Sequence, residues 1–272
     1  VERFPLFVSV DGTDERTLLA ALALHQASGL QIIQNMRNDE LCGTEDLGPI
    51  GYCRLSLHYQ MLLQLFFDCL KSPNLILLEE DLLIAPDFFS YFQATAPLLQ
   101  QDNTLWCVSA WNDHGQRGRA KDDSALYRTD VMPGLGWMLP ARIGLELWPK
   151  WPRWFWDDWM RQGSVQQGRQ CIFPEMPRTH TFGRDGTSEG QFYEEHLKEM
   201  LLSQKGVAWQ EMVSGYWADL GFLKECIALS TRFVGWQGKE YGQVLFTLHK
   251  VFKSLGATPL LSLDVYVRRP HR

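Results

Sequence analysis

A chain of 272 residues, 45% of them apolar, can bury the core of one large α/β domain, with or without a small appendage. A formal net charge of −6 and a pI near 5.7 argue against a dedicated nucleic-acid binder, which carries a basic face. No run of roughly eighteen apolar residues occurs, so nothing reads as a bilayer span, and Val1-Glu2-Arg3 opens no signal-peptide pattern. The chain starts without Met and reads as a piece of a longer protein.

The first apolar run, residues 4–10, predicts a strand that ends at Asp11-Gly12-Thr13-Asp14, a turn and helix cap. Residues 16–28 then predict a helix closed by Gly29, and residues 30–34 a second strand. That β-α-β order implies parallel pairing. A polar, irregular stretch runs to about residue 50. Residues 52–71 carry a dense helical apolar pattern that stops at Pro73-Asn74. Residues 75–78 are wholly apolar, as a central parallel strand buried on both faces would be, and they lead straight into Glu79, Glu80 and Asp81.

A helix over 86–101, a strand over 105–111 and a charged, mobile loop over 113–124 are expected next. The turn Pro133-Gly134-Leu135-Gly136-Trp137 lies between two apolar stretches, and short helices are expected over 141–148 and 155–161. A Gly/Gln-rich loop leads to Cys171-Ile172-Phe173, and a flexible loop over 183–190 precedes a helix over 191–203. Motif density falls after residue 207. Helices near 220–229 and 239–255 and a strand at 261–267 suggest a small second lobe, which divides the chain into residues 1–206 and 207–272.

Three consecutive carboxylates at the carboxyl end of a strand sit where open α/β sheets bind ligands. Packed together they repel one another unless a cation or hydrogen-bond donors compensate. A hard divalent metal with further oxygens from a diphosphate is the natural partner. Capping of the next turn is the alternative, and the apolar run directly before the trio favours the metal. A second cluster, Trp156-Asp157-Asp158-Trp159, has the composition of a general base in an aromatic-walled, sugar-binding cleft. Spacing alone equally allows these aspartates to cap a helix or to pair with Arg153 and Arg161. Six scattered cysteines form no zinc pattern, and composition leaves open whether they are thiols or bridges.

Taken in order, several motifs resemble glycosyltransferase family 13, the N-acetylglucosaminyltransferase I family. They are Leu78-Glu79-Glu80-Asp81 with Ala85-Pro86-Asp87-Phe88-Phe89, then Trp106-Cys107-Val108-Ser109-Ala110-Trp111-Asn112-Asp113, and Leu126-Tyr127-Arg128-Thr129-Asp130. Pro133-Gly134-Leu135-Gly136-Trp137, Phe155-Trp156-Asp157-Asp158-Trp159-Met160-Arg161 and Thr181-Phe182-Gly183-Arg184 complete the set. The resemblance covers residues 4–197. It implies a GT-A, Rossmann-like nucleotide-sugar transferase fold acting on UDP-N-acetylglucosamine and a mannose-containing N-glycan acceptor. The reaction would be inverting and Mn²⁺-dependent, with Asp81 as the protein's metal ligand and Asp157 as the base.

By the same resemblance, Glu80 lies near the ribose and Glu79 near the sugar, with Glu80 standing where the family usually has Asp. Asp11 and His58 align with positions that recognise uracil. Leu135, Trp156 and Leu197 align with the walls of the N-acetylglucosamine pocket, and Ser188 lies in a loop that orders over the donor. Cys107 and Cys171 match a family disulfide, which points to an oxidising Golgi lumen. Gly12 stands where the family places one cysteine of a second bridge. The family's first strand and a membrane anchor would lie upstream of this chain. The rival readings are an O-mannosyl-glycan β-1,2-N-acetylglucosaminyltransferase and a non-catalytic sugar-binding module of the same fold.

Overall fold

The structure, a computed structural model, describes residues 4–43, 47–184, 187, 190 and 193–213. Strand β1 (Phe7–Asp11), helix α1 (Glu15–Ser28) and strand β2 (Gln31–Asn35) form the expected unit, with β1 and β2 parallel. The Asp14 carboxylate accepts the Thr17 amide (2.9 Å) and caps α1. Gly29, at φ 73°, closes the helix in the left-handed conformation that glycine adopts without penalty. After a 3-10 turn (Asp39–Cys42), helix α2 (Ile50–Leu63) widens into a π turn (Gln64–Cys69), so the long apolar pattern is one composite helix.

The apolar run before the acidic trio becomes strand β3 (Asn74–Leu77), and here the sequence expectation fails. Among the described residues β3 stands at the end of a five-stranded sheet, and its partner β7 (Trp137–Pro140) is antiparallel. Only Leu77 of the strand is buried, and Leu78 is 42% exposed. Four apolar residues cannot by themselves separate a central strand from an edge one. The central strand is β5 (Leu105–Ser109), buried at every residue, with β7 antiparallel on one side and β8 (Gln170–Pro174) parallel on the other. Strand β6 (Leu126–Thr129) completes the order β3-β7-β5-β8-β6.

Helix α3 (Phe88–Gln101) packs on one face of this sheet, where Phe92 and Leu98 meet Val108, Met138 and Ile172. The other face receives α2, α4 (Ala141–Leu147) and α5 (Trp156–Met160), through Leu63, Ile143 and Trp156 against Trp106, Trp137 and Leu139. Alternation along β7 divides the cores: Trp137 and Leu139 point one way, Met138 the other. The result is a mixed α/β fold with helices on both faces of a central mixed sheet, compatible with a GT-A-like architecture. A short helix α6 (Gly163–Gln166) leads into β8.

A two-stranded antiparallel sheet that sequence patterning did not foresee pairs β4 (Leu82–Ile84), directly after the acidic trio, with β9 (Thr179–Thr181). Its base is fixed by Arg178, fully buried and paired with both oxygens of Asp87 (3.2 and 3.1 Å). The indole of Trp209 donates to the same carboxylate (2.7 Å) and lies under the guanidinium (4.6 Å). The loop over residues 113–124, expected to be mobile, is tied down: Glu175 accepts the amides of Lys121 and Asp122, and Asp123 accepts from Ser203.

The helix expected over 191–203 is found only as one turn, Tyr193–Leu197. Beyond it, the amides of Leu201 and Ser203 bond to the carbonyls of Gly115 and Pro177 instead of continuing a helical ladder. Trp209 and Val213 pack against the α3 face of the sheet. The elements expected over 220–229, 239–255 and 261–267 lie outside the described residues. Among the described residues no helix is long and apolar enough to cross a membrane.

Candidate active site

The acidic trio occupies the turn between β3 and β4. The Tyr59 hydroxyl, brought in by α2, donates to Glu79 Oε1 (2.9 Å). Its ring lies 4.6 Å from Trp156, and Trp137 and Trp151 stack on Trp156 at 5.5 and 5.8 Å. Glu79 therefore ends in a block of aromatic carbon. Desolvation there pushes its carboxyl up to about 7; the Tyr59 bond opposes the shift, and the charges of Asp81, Glu80 and Asp157 add to it.

Asp81 is held from the neighbouring strand. Its Oδ2 accepts from the Thr181 hydroxyl (3.1 Å), and its carbonyl accepts the Phe182 amide (3.0 Å). A Cβ on Gly183 would stand 1.9 Å from that same Oδ2, so glycine is required for the carboxylate to lie where it does. Asp81 Oδ1 is buried without a hydrogen-bond partner. An orphaned, ionisable oxygen of this kind fits a hard cation. Among the described residues no group of three or more His, Cys, Asp or Glu converges on one point.

Asp11 closes β1 at the carboxyl end of a parallel strand. Asn35 (2.7 Å) donates to one of its oxygens and Arg37 (2.7 Å) to the other. His58, on α2 one residue before Tyr59, bonds the Ser9 hydroxyl (2.6 Å). Burial lowers the His58 pKa, and of its charged neighbours Asp11 and Glu80 oppose that shift while Arg37 adds to it. The two candidate base-recognition residues and the middle carboxylate of the trio are therefore within electrostatic reach of one another. Beside them a cleft is lined by Asp11, Arg37, Leu57 and Met61.

Asp157 sits in the first turn of α5, directly after Trp156. Its Oδ2 pairs with Arg161 (3.1 Å), and the same guanidinium nitrogen reaches Asp158 (3.3 Å). The ion pairing that the spacing allowed is thus formed. Asp157 nevertheless stays 42% exposed, and its charge is one of the causes that raise Glu79. Base candidate and acidic trio share one region, bridged by Trp156 and Tyr59.

Leu135 has a left-handed backbone (φ 58°), costly for a leucine, and its carbonyl accepts the Thr179 hydroxyl (2.6 Å) on the strand that also holds Asp81. Leu197 is half-buried at the end of the turn Tyr193–Leu197 and has no hydrogen bond to the trio among the described residues. Ser188 lies outside the described residues. Its loop neighbour Thr187 reaches the start of α2, where a Cβ on Gly51 would stand 2.7 Å from its hydroxyl.

The Cys107–Cys171 disulfide is formed, at directly paired positions of β5 and β8. A second bridge, Cys42–Cys53, joins the 3-10 turn to α2; composition had left both cysteines unassigned. Sequence reasoning also missed Tyr59, Thr181 and Gly183. Tyr59 carried a signal, since it follows His58 inside an apolar helical pattern and needs a partner for its hydroxyl if buried. Thr181 and Gly183 stand in the motif Thr181-Phe182-Gly183-Arg184, but their role toward Asp81 was not readable, because it depends on the unforeseen β4–β9 pairing.

Comparison with known proteins adds two findings. The model of a family described as the GNT-I family matches residues 1–241. An Arabidopsis thaliana protein named alpha-1,3-mannosyl-glycoprotein 2-beta-N-acetylglucosaminyltransferase is 41% identical over 224 residues, covering 82% of this chain and 48% of that protein. The chain thus spans about half the length of that relative.

Proposed function

The chain belongs to the GNT-I family, and from that premise we propose that it transfers N-acetylglucosamine from UDP-N-acetylglucosamine to mannose in β-1,2 linkage, with inversion at the anomeric carbon. The observation that carries this reading is the contact chain from Trp156 through Tyr59 to Glu79, with Asp157 close enough to raise Glu79. That chain joins a partly exposed carboxylate to the acidic trio, in which Asp81 Oδ1 is buried and unpartnered. The acceptor is an α-1,3-linked mannose of an N-glycan, a reading supported by the name of the Arabidopsis relative. Such a reaction belongs to the secretory pathway, in the Golgi lumen, and the two disulfides suit that oxidising compartment.

In this mechanism Asp157 accepts the proton of the mannose 2-hydroxyl as that oxygen bonds to the donor's anomeric carbon. The bond from that carbon to the diphosphate oxygen breaks on the opposite face, so the α-linked donor becomes a β-linked product and UDP departs. Arg161 orients the Asp157 carboxylate until the hydroxyl arrives. Trp156 and Leu135 wall the N-acetylglucosamine, while Glu79 hydrogen-bonds to it. Asp11 and His58 hold the uracil and Glu80 the ribose, Leu197 is a further wall of the N-acetylglucosamine pocket, and Ser188 contacts the donor's phosphates. Asp81 would hold a Mn²⁺ ion, which when bound would supply Lewis-acid stabilisation of the leaving diphosphate.

The test is transfer of labelled N-acetylglucosamine to an oligomannose N-glycan and, in parallel, to an O-mannosyl peptide, with the new linkage read by NMR. A β-1,2 product on the N-glycan supports the reading. A product on the O-mannosyl peptide alone favours the related O-mannosyl enzyme, and binding without transfer to either favours a sugar-binding module.

A further inference from the structure

Phe155, which precedes Trp156 and Asp157, has φ 47° and ψ 55°, a left-handed conformation that a bulky residue holds only when its surroundings over-determine it. The surroundings are visible. The Phe155 ring packs on Tyr52 (5.2 Å) at the start of α2 and on Trp154 (6.0 Å). The Trp154 indole donates to the carbonyl of Cys42 (3.3 Å). Cys42 is bridged to Cys53, one residue beyond Tyr52, and both cysteines are buried. Arg54 binds both oxygens of Asp39 (2.9 and 2.5 Å), closing the same loop a second time, and Ser56 donates to the carbonyl of Pro152 (2.7 Å). Three of these contacts, Phe155 on Tyr52, Trp154 to Cys42 and Ser56 to Pro152, tie the segment before α5 to the bridged loop or to the first turns of α2, while the disulfide and the Arg54–Asp39 pair hold that loop to the helix.

We propose that Phe155 is a positioning residue: the Cys42–Cys53 loop clamps it in its strained backbone conformation, and that conformation sets where Asp157 stands. The connection is short. The Phe155 carbonyl accepts the Trp159 amide (3.0 Å) and the Asp157 carbonyl accepts the Arg161 amide (3.2 Å), so the direction in which the chain leaves Phe155 fixes the whole of α5. A five-residue helix has too few internal bonds to orient itself. Its N-terminus has no side-chain cap. The clamp takes the place of both. The inference rests on the proposed function only for its kinetic consequence; the placement of α5 is independent of what the protein catalyses.

Three variants of the full chain test it: Phe155→Gly, the double variant Cys42→Ser/Cys53→Ser, and Trp154→Phe, which removes one hydrogen bond and keeps an aromatic ring. Amide hydrogen exchange is followed over 156–161 with β5 as internal reference, beside the kcat and KM of sugar transfer. The clamp predicts about tenfold faster exchange at 159–161 with β5 unchanged, and about a 10- to 100-fold loss of kcat at nearly constant KM for the donor. Phe155→Tyr, which restores the ring, should return both readouts to within about twofold of wild type. If the variants lower only the unfolding temperature and leave exchange in α5 and kcat unchanged, the residues are ordinary packing and the proposal is overturned. If wild type transfers no sugar while α5 loses protection as described, the functional reading fails and the clamp stands.

Discussion

Replacing Glu79 by Gln changes a charge at the point where the aromatic block meets the acidic trio. Gln can still accept the Tyr59 hydroxyl through its carbonyl oxygen, so the packing is kept and only ionisation is lost. In the native chain the Glu79 carboxyl is pushed from 4.5 to about 7, chiefly by burial. Between those two values the folded state binds the proton and the unfolded chain does not. Stability is therefore fully present below 4.5 and falls as the pH rises through about 7. A displacement of that size is worth roughly 3 kcal/mol. Urea unfolding of wild type and Glu79→Gln, in chelator so that no cation offsets the charge, should give curves that diverge from about pH 4 to about pH 8 by that amount, with wild type the one that loses stability. Parallel curves would refute the argument, because they would mean that ionised Glu79 is as well solvated in the fold as in the open chain.

Asp157→Asn should lower kcat by ~100-fold to ~10,000-fold while donor affinity, read by calorimetry with UDP, stays nearly unchanged. Gly183→Ala should push Asp81 from its position and weaken Mn²⁺-dependent UDP binding by about 10- to 100-fold, with the unfolding midpoint little affected. Arg178→Ala should cost about 3–5 kcal/mol in urea unfolding, since it strands the buried carboxylate of Asp87 with only the Trp209 indole as donor. A loss under 1 kcal/mol would mean that water replaces the guanidinium.

Local signals in the sequence transferred well to the structure. Asp14 and Gly29 bounded α1 because a cap and a left-handed terminus are set by single residues. Asp11 and His58 come into electrostatic reach of one another because they lie on β1 and α2, elements whose type was readable. Pairing was less legible. Residues 75–78 look like a buried central strand, but which neighbours a strand acquires depends on chain segments far away, and among the described residues β3 pairs only with β7. The β4–β9 pair joins residues about a hundred positions apart, so nothing local marked that the Thr181 hydroxyl and the missing Gly183 side chain would shape Asp81. The helix expected over 191–203 failed for the same reason, its amides being taken by Gly115 and Pro177.

One measurement bears on the central claim most directly: the initial rate of N-acetylglucosamine transfer to a mannosyl acceptor, before and after chelation, and again after Mn²⁺ is restored. The account predicts that transfer stops with chelator, returns with Mn²⁺, and does not return in Asp81→Ala. Transfer that continues at full rate in chelator, or that Asp81→Ala sustains, would contradict it.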